Sequence, residues 1–120
     1  PFSLYGDSKK EEENVKELMA ELGILELASV FPAELSGGEL RRMAIVRTLA
    51  KKPQIIFADE PTGDLDDENT EIVLKHLKKM TECGGSVLMV THENDAAGYA
   101  DMIYKMSDGV LEKQSKSIDN

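Results

Sequence analysis

The chain has one cysteine, Cys83, so no internal disulfide can form, and no cysteine and histidine cluster has zinc spacing. A reducing compartment fits that usage. Tryptophan is absent and aromatics make up only 5% of the 120 residues, yet 41% are hydrophobic, an ordinary composition for one compact domain or a piece of a larger one. Positive charge is short. Fourteen lysines and arginines stand against 23 acidic residues, a net charge of -9, which argues against a nucleic-acid surface and against adhesion to anionic lipid by the chain's own charge. Docking to another protein stays open. No apolar run approaches the roughly 18 residues of a membrane span, and the acidic stretch at residues 7–13 is unlike a signal or transit peptide. A role at a membrane therefore requires a partner, or another part of the chain, to hold it there. No internal repeat or low-complexity tract occurs.

What is present is organised around residues 54–66, where the apolar run Ile55-Ile56-Phe57-Ala58 ends in Asp59-Glu60-Pro61 and a polar turn. Four apolar residues without polar alternation predict a strand covered on both faces, as in parallel sheets flanked by helices. Ligands of open α/β sheets bind beyond the carboxyl ends of the strands, so Asp59 and Glu60 stand where chemistry is expected. An N-terminal helix cap or a solvated loop would use the same residue types.

Upstream, residues 1–7 read as a connector, and Ser8 with an acidic first turn opens a helix. Its Val15, Leu18, Met19 and Leu22 share one face, and Gly23 ends it. Apolar residues continue until Pro32 breaks the pattern ahead of Leu35-Ser36-Gly37-Gly38-Glu39. A helix over residues 40–52, carrying Arg41, Arg42 and Arg47, follows and stops at Pro53. Glycine costs helix stability, so two at a first turn suggest that something approaches the backbone closely. Exposed N–H groups and about half a positive charge from the helix dipole make such an end a natural phosphate site. The structural alternative is a capping box between Ser36 and Glu39, which explains those two residues but not both glycines.

Downstream, Thr62-Gly63-Asp64-Leu65-Asp66-Asp67-Glu68 is acidic but lacks the glycine and glutamate register of a calcium loop counted from Asp64. Asp66 or Asp67 instead caps a helix through Ile72, Val73, Leu77 and Met80 that ends at Gly84-Gly85. Cys83 reads as a small packing residue near its end, and His76 as solvated among lysines. Val87-Leu88-Met89-Val90 then repeats the design of the first strand and runs into Thr91-His92-Glu93. Strand, helix and strand make a βαβ unit whose right-handed crossover renders the strands parallel and puts both polar ends at one edge. Neighbouring strands lie ~4.8 Å apart, so Glu60 and His92, each the second residue past its apolar run, would address one small group. A lone histidine is more often structural; this one gains from its place at a strand end beside two carboxylates. A short helix at residues 95–100, a strand at 102–106, a turn at Ser107-Asp108-Gly109 and a strand at 110–112 close the fold as a hairpin at the sheet edge.

In order and spacing, Leu35-Ser36-Gly37-Gly38-Glu39, then residues 55–60 with Pro61, then Gly63-Asp64-Leu65-Asp66, then Thr91-His92 resemble the signature motif, Walker B strand, D-loop and H-loop of ABC-transporter ATPase domains. The wording of residues 58–66 looks most like the branch of lipoprotein-releasing and macrolide-export ATPases. The resemblance implies an α/β fold: a partial P-loop NTPase (RecA-like) core of parallel strands flanked by helices, with part of the ABC helical subdomain. Residues 1–52 would belong to that subdomain, 53–113 to the C-terminal half of the core, and 114–120 to a polar tail. Asp59 would hold magnesium, generally through water, and Glu60 would polarise the water that attacks the γ-phosphate of ATP. His92 would contact that phosphate. Leu35, Ser36, Gly37, Gly38 and Glu39 would form the signature that reaches ATP on an opposing subunit, and Asp66 would connect the two sites.

The implied partners are a second ATPase domain and a transmembrane permease, with no nucleic acid, and the implied location is peripheral on the cytoplasmic face of a membrane. Two departures from the family pattern matter. Glu39 stands where the signature commonly has glutamine. No G-x-x-x-x-G-K-[ST] loop occurs, and none of the nine glycines is followed by Lys-Ser or Lys-Thr. The chain thus resembles the C-terminal half of an ATPase domain, expected to bind ATP poorly alone and to self-associate through an exposed sheet edge. Other readings are a non-transport member of the superfamily, disfavoured by the acidic charge, and a binding module that never hydrolyses ATP, disfavoured by intact Glu60 and His92.

Overall fold

Val15, Leu18, Met19 and Leu22 recur at helical spacing, and in the computed structural model, which describes residues 8–27 and 34–114, the first three lie on the inner side of helix α1, Ser8–Glu21, and Leu22 continues that face in the turn just past it. Leu18, Met19 and Leu22 are buried. Gly23, at φ 72, ends the helix: its N–H donates to the Ala20 carbonyl at 3.1 Å and that of Ile24 to Met19 at 2.8 Å. Only a residue tolerant of the left-handed region closes a helix this way. A single 3-10 turn at Leu25–Leu27 follows. The predicted connector at residues 1–7, the break at Pro32 and the tail beyond Gln114 lie outside the described residues.

Helix α2, Gly37–Ala50, begins at the glycine pair itself, three residues before the apolar pattern, because Ser36 already caps it. Val46 and Ala50 are its buried residues, and Lys52, at φ 48, turns the chain into Pro53. Arg42 fastens α2 to α1: its Nη1 donates to the Leu22 carbonyl at 3.0 Å, satisfying an acceptor that the end of α1 leaves open.

The two apolar runs form strands β1, Ile55–Asp59, and β2, Ser86–Val90, joined by α3, Asp67–Glu82. The strands pair in parallel, Ile55 with Ser86 through Asp59 with Val90, as the βαβ reading requires. Ile56, Val73 and Leu77 join Leu18, Met19, Leu22, Ile24 and Val46 in one core, with Ala58, Val87 and Met89 packed against it. Each fully buried aliphatic side chain contributes about 1.5–3 kcal/mol.

Four expectations are corrected. Among the described residues the strands are covered on one face: the helices pack against Ile56, Ala58, Val87 and Met89, leaving Ile55 59%, Phe57 77%, Leu88 61% and Val90 61% exposed on the other. The hairpin of β3, Ile103–Ser107, and β4, Val110–Gln114, is its own antiparallel sheet and does not extend the edge of the first. Its turn has the predicted chemistry, with Asp108 at φ 51 and Gly109 at φ 78. Cys83 is exposed, because it falls on the C-cap of α3 rather than on its inner face. His76 is not simply solvated: its Nε2 meets Glu21 Oε2, tying α3 to α1 across 55 residues of sequence. The short helix before β3 is a 3-10 segment, Asn94–Tyr99.

Candidate functional site

The carboxyl edge of the parallel pair gathers the two predicted groups and adds a third. Asp59 ends β1, and Glu60 extends the ladder by one rung, its N–H donating to the Val90 carbonyl at 2.7 Å. Glu60 sits at φ 47, left-handed backbone that a residue with a Cβ disfavours, and it precedes a proline, which narrows its choices further. That conformation turns the carboxylate back toward the end of β2. There Oε1 accepts the His92 backbone N–H at 2.9 Å and lies against His92 Nδ1, while Oε2 accepts the Thr91 hydroxyl at 3.1 Å. The Glu60 side chain is 27% exposed and the His92 ring 93% exposed, so the carboxylate is anchored while the imidazole faces out.

Sequence reasoning paired Glu60 with His92 by counting from the ends of the apolar runs. The register differs by one: Ile55 faces Ser86, one residue before the apolar run begins, so Glu60 stands level with Thr91. The structure brings Glu60 and His92 together as expected, and it also recruits Thr91, which the sequence offers only as the residue ahead of His92 and to which the register gives a contact.

The turn beyond Glu60 is closed by Gly63 N–H to the Glu60 carbonyl at 3.2 Å and Leu65 N–H to Thr62 at 3.1 Å, with Pro61 and Thr62 buried. Asp66 is the N-cap of α3, its Oδ1 accepting the Asn69 N–H at 2.8 Å. Its side chain therefore caps the helix, one of the two capping residues that the sequence offers.

Capping also settles the geometry of residues 36–39. Ser36 Oγ accepts the Glu39 N–H at 3.2 Å and Glu39 Oε1 accepts the Ser36 N–H at 3.0 Å, so the box is complete and the Glu39 carboxylate points back at its own cap. The glycines differ from each other. A Cβ on Gly38 would meet the Asp64 carbonyl at 3.5 Å, ordinary contact, and one on Gly37 would meet nothing within 4 Å. Neither requires glycine for packing within the chain. Arg41 Nη2 lies 3.7 Å from Asp64 Oδ2, so the first turn of α2 and the turn at residues 62–66 form one unit. Leu35 is half-buried just ahead of it. Among the described residues, no hydrogen bond or ion pair joins residues 35–39 to Glu60 or His92. The two clusters are therefore separate within one chain.

A phosphate group fits the second cluster: the Gly37 and Gly38 N–H groups have no acceptor among the described residues and open backbone space lies over Gly37. A magnesium ion finds less. No group of three or more acidic, histidine or cysteine residues among the described residues could hold a metal, so Asp59 would offer one carboxylate to an ion ligated mainly by water and phosphate.

The ABC transporter family profile matches residues 3–63. The lipoprotein-releasing system ATP-binding protein LolD of Aquifex aeolicus is 46% identical over 91% of this chain and 49% of its own length. The macrolide export ATP-binding/permease protein MacB of Chlorobium luteolum is 41% identical over 90% of this chain and 16% of its own length. The chain therefore spans about half or less of the curated relatives it matches. In three dimensions it resembles a bacterial ABC transporter cassette solved in a dimeric structure, with a TM-score of 0.70 and 35% identity, covering 93% of this chain and 51% of the other.

Proposed function

This chain belongs to the ABC transporter family and is similar to its lipoprotein-releasing and macrolide-export ATP-binding proteins, and from that premise we propose that it serves the ATP-hydrolysing subunit of a transporter. The observation that carries the proposal is the Glu60 carboxylate, held at a parallel sheet edge by Thr91 and His92 and aimed by a left-handed backbone. Strain of that kind is retained where the surroundings over-determine it.

Bound MgATP supplies a terminal phosphoryl group whose transfer to water is slow until the water is polarised and the developing charge is neutralised. Within the chain, Glu60 accepts a hydrogen bond from that water as general base, and His92, exposed beside it, donates toward the phosphate side. Asp59 would hold magnesium, which would neutralise charge on the phosphates. Ser36, Gly37 and Gly38, with Leu35 and Glu39 framing them, present backbone N–H groups to phosphate. Since those groups make no contact with Glu60 in one chain, they would complete the site of a second ATPase domain. Asp66 and Asp64, the latter paired with Arg41 of α2, lie on the turn between the two half-sites. Closure of such a dimer would drive a membrane permease.

Residues 1–52 are assigned to the helical subdomain, 53–113 to the core and 114–120 to a tail, although β4 runs on to Gln114. No described helix is long and apolar enough to cross a membrane, and attachment through the permease on the cytoplasmic face is part of the proposal.

Glu60→Gln in the complete cassette tests the reading: hydrolysis should fall by about 10²–10⁴-fold while ATP binding persists. Retained turnover would overturn it. The 120 residues alone, which contain no G-x-x-x-x-G-K-[ST] loop, should bind MgATP weakly in titration calorimetry. They should also self-associate in sedimentation through the bare face of Phe57 and Leu88.

A further inference from the structure

We infer that Thr91 is a positioning residue that fixes the Glu60 carboxylate, an inference that rests on the role proposed for Glu60. Thr91 is the first residue past β2, and the parallel register sets it level with Glu60 across the sheet edge. Its hydroxyl is committed at both ends. The Glu93 N–H donates to Thr91 Oγ1 at 2.9 Å, and Thr91 Oγ1 donates to Glu60 Oε2 at 3.1 Å. The first bond occupies a lone pair and turns the hydroxyl proton outward; a hydroxyl has only that one proton to give. It is given to the carboxylate.

The consequence is a division of labour on Glu60. Oε1 takes the His92 backbone N–H and lies against the His92 ring, and Oε2 takes Thr91, so rotation about the last side-chain bond would break contacts on both oxygens. A glutamate has three side-chain torsions to restrain, and a general base must be held within a fraction of an ångström of its productive position. The His92 ring is 93% exposed, whereas Thr91 is half-buried, so the threonine is the more enclosed of the two partners. Hydrogen bonds to a charged acceptor are the strong class, so the fixed anchor matters more than a neutral pair would. Serine can make both bonds, whereas valine has the shape of threonine and makes neither.

The experiment compares Thr91→Val and Thr91→Ser in the complete cassette with two readouts. In steady-state hydrolysis, Thr91→Val should lower kcat about tenfold with KM for ATP unchanged, and Thr91→Ser should restore it. In nucleotide-free protein, amide hydrogen exchange at His92, whose N–H is held by Glu60 and not by Thr91, should quicken in Thr91→Val and return to the parent rate in Thr91→Ser. Unchanged kcat in Thr91→Val, beside a Glu60→Gln control that abolishes hydrolysis, overturns the positioning role. Equal loss of kcat and of affinity, with no rescue by serine, also overturns it, since that is what a structural defect would give. If Glu60→Gln itself retains hydrolysis, the base assignment falls instead, and the exchange rates alone decide whether Thr91 holds the carboxylate.

Discussion

Glu60 donates its backbone N–H to the carbonyl of Val90 at 2.7 Å, one rung beyond the last paired residues of the two strands. The bond extends the sheet into the site, and the residue that makes it is left-handed at φ 47. Such backbone costs a residue with a Cβ about 1–2 kcal/mol. Glu60→Gly should therefore hold or raise the thermal midpoint, because strain relief offsets the hydrogen bonds lost from the carboxylate, while hydrolysis by the complete cassette disappears. A midpoint lower by more than about 5 °C would show that the backbone there stores no strain.

The glycines separate into two kinds. Gly37→Ala meets open space and should stabilise by about 0.5 kcal/mol, yet weaken ATP-driven association of the cassette by filling the approach to the backbone. Gly85→Ala has the opposite signature. Its Cβ would lie 2.7 Å from Met80 Cε and 3.1 Å from the Met80 carbonyl, so stability should fall by about 1–3 kcal/mol in denaturant titration. If both variants melt alike, local packing does not distinguish them.

Glu39 replaces the glutamine common in the signature, and its carboxylate is spent on the Ser36 N–H. A glutamine oxygen can accept the same bond. Glu39→Gln should leave the thermal midpoint unchanged and tighten nucleotide-driven dimerisation modestly, by removing one negative charge near the phosphate. A clear loss of stability would mean that the charge itself, at the positive end of α2, carries the cap.

On the outer face of α3, the hydrogen bond between Lys75 Nζ and Glu71 Oε1, 2.8 Å long, holds the Glu71 carboxyl below 4.5 and the Lys75 ammonium above 10.5. Glu71 thus contributes stability that is whole above pH 4.5 and lost as pH falls through its folded value. Lys75 contributes stability that is whole below pH 10.5 and lost as pH rises through its folded value. The pair is solvent-exposed and screened, so Lys75→Met should lower the pH 7 midpoint only slightly, and even that small difference from the parent should vanish once Glu71 is protonated at acid pH or Lys75 is deprotonated at alkaline pH. A large loss at neutral pH would contradict this.

The sequence by itself determined the local elements, because periodicity, caps and turn chemistry act within a few residues. Leu18 and Leu22 on one face, Gly23 and Gly84 as left-handed stops, Asp66 as a cap, Asp108-Gly109 as a hairpin turn and two apolar runs each ending in polar groups were all legible there, as was the ordered set of motifs that marks the family. Tertiary structure decided what those elements meet. The strand register made Thr91, not His92, level with Glu60, and a difference of one residue cannot be read from composition. Packing chose which sheet face to cover, since apolar runs look alike whether one side is buried or two; it left Phe57 bare and brought His76 to Glu21 and Arg41 to Asp64. Those pairings span 55 and 23 residues and carry no local signal, because only the folded chain brings such distant groups within reach.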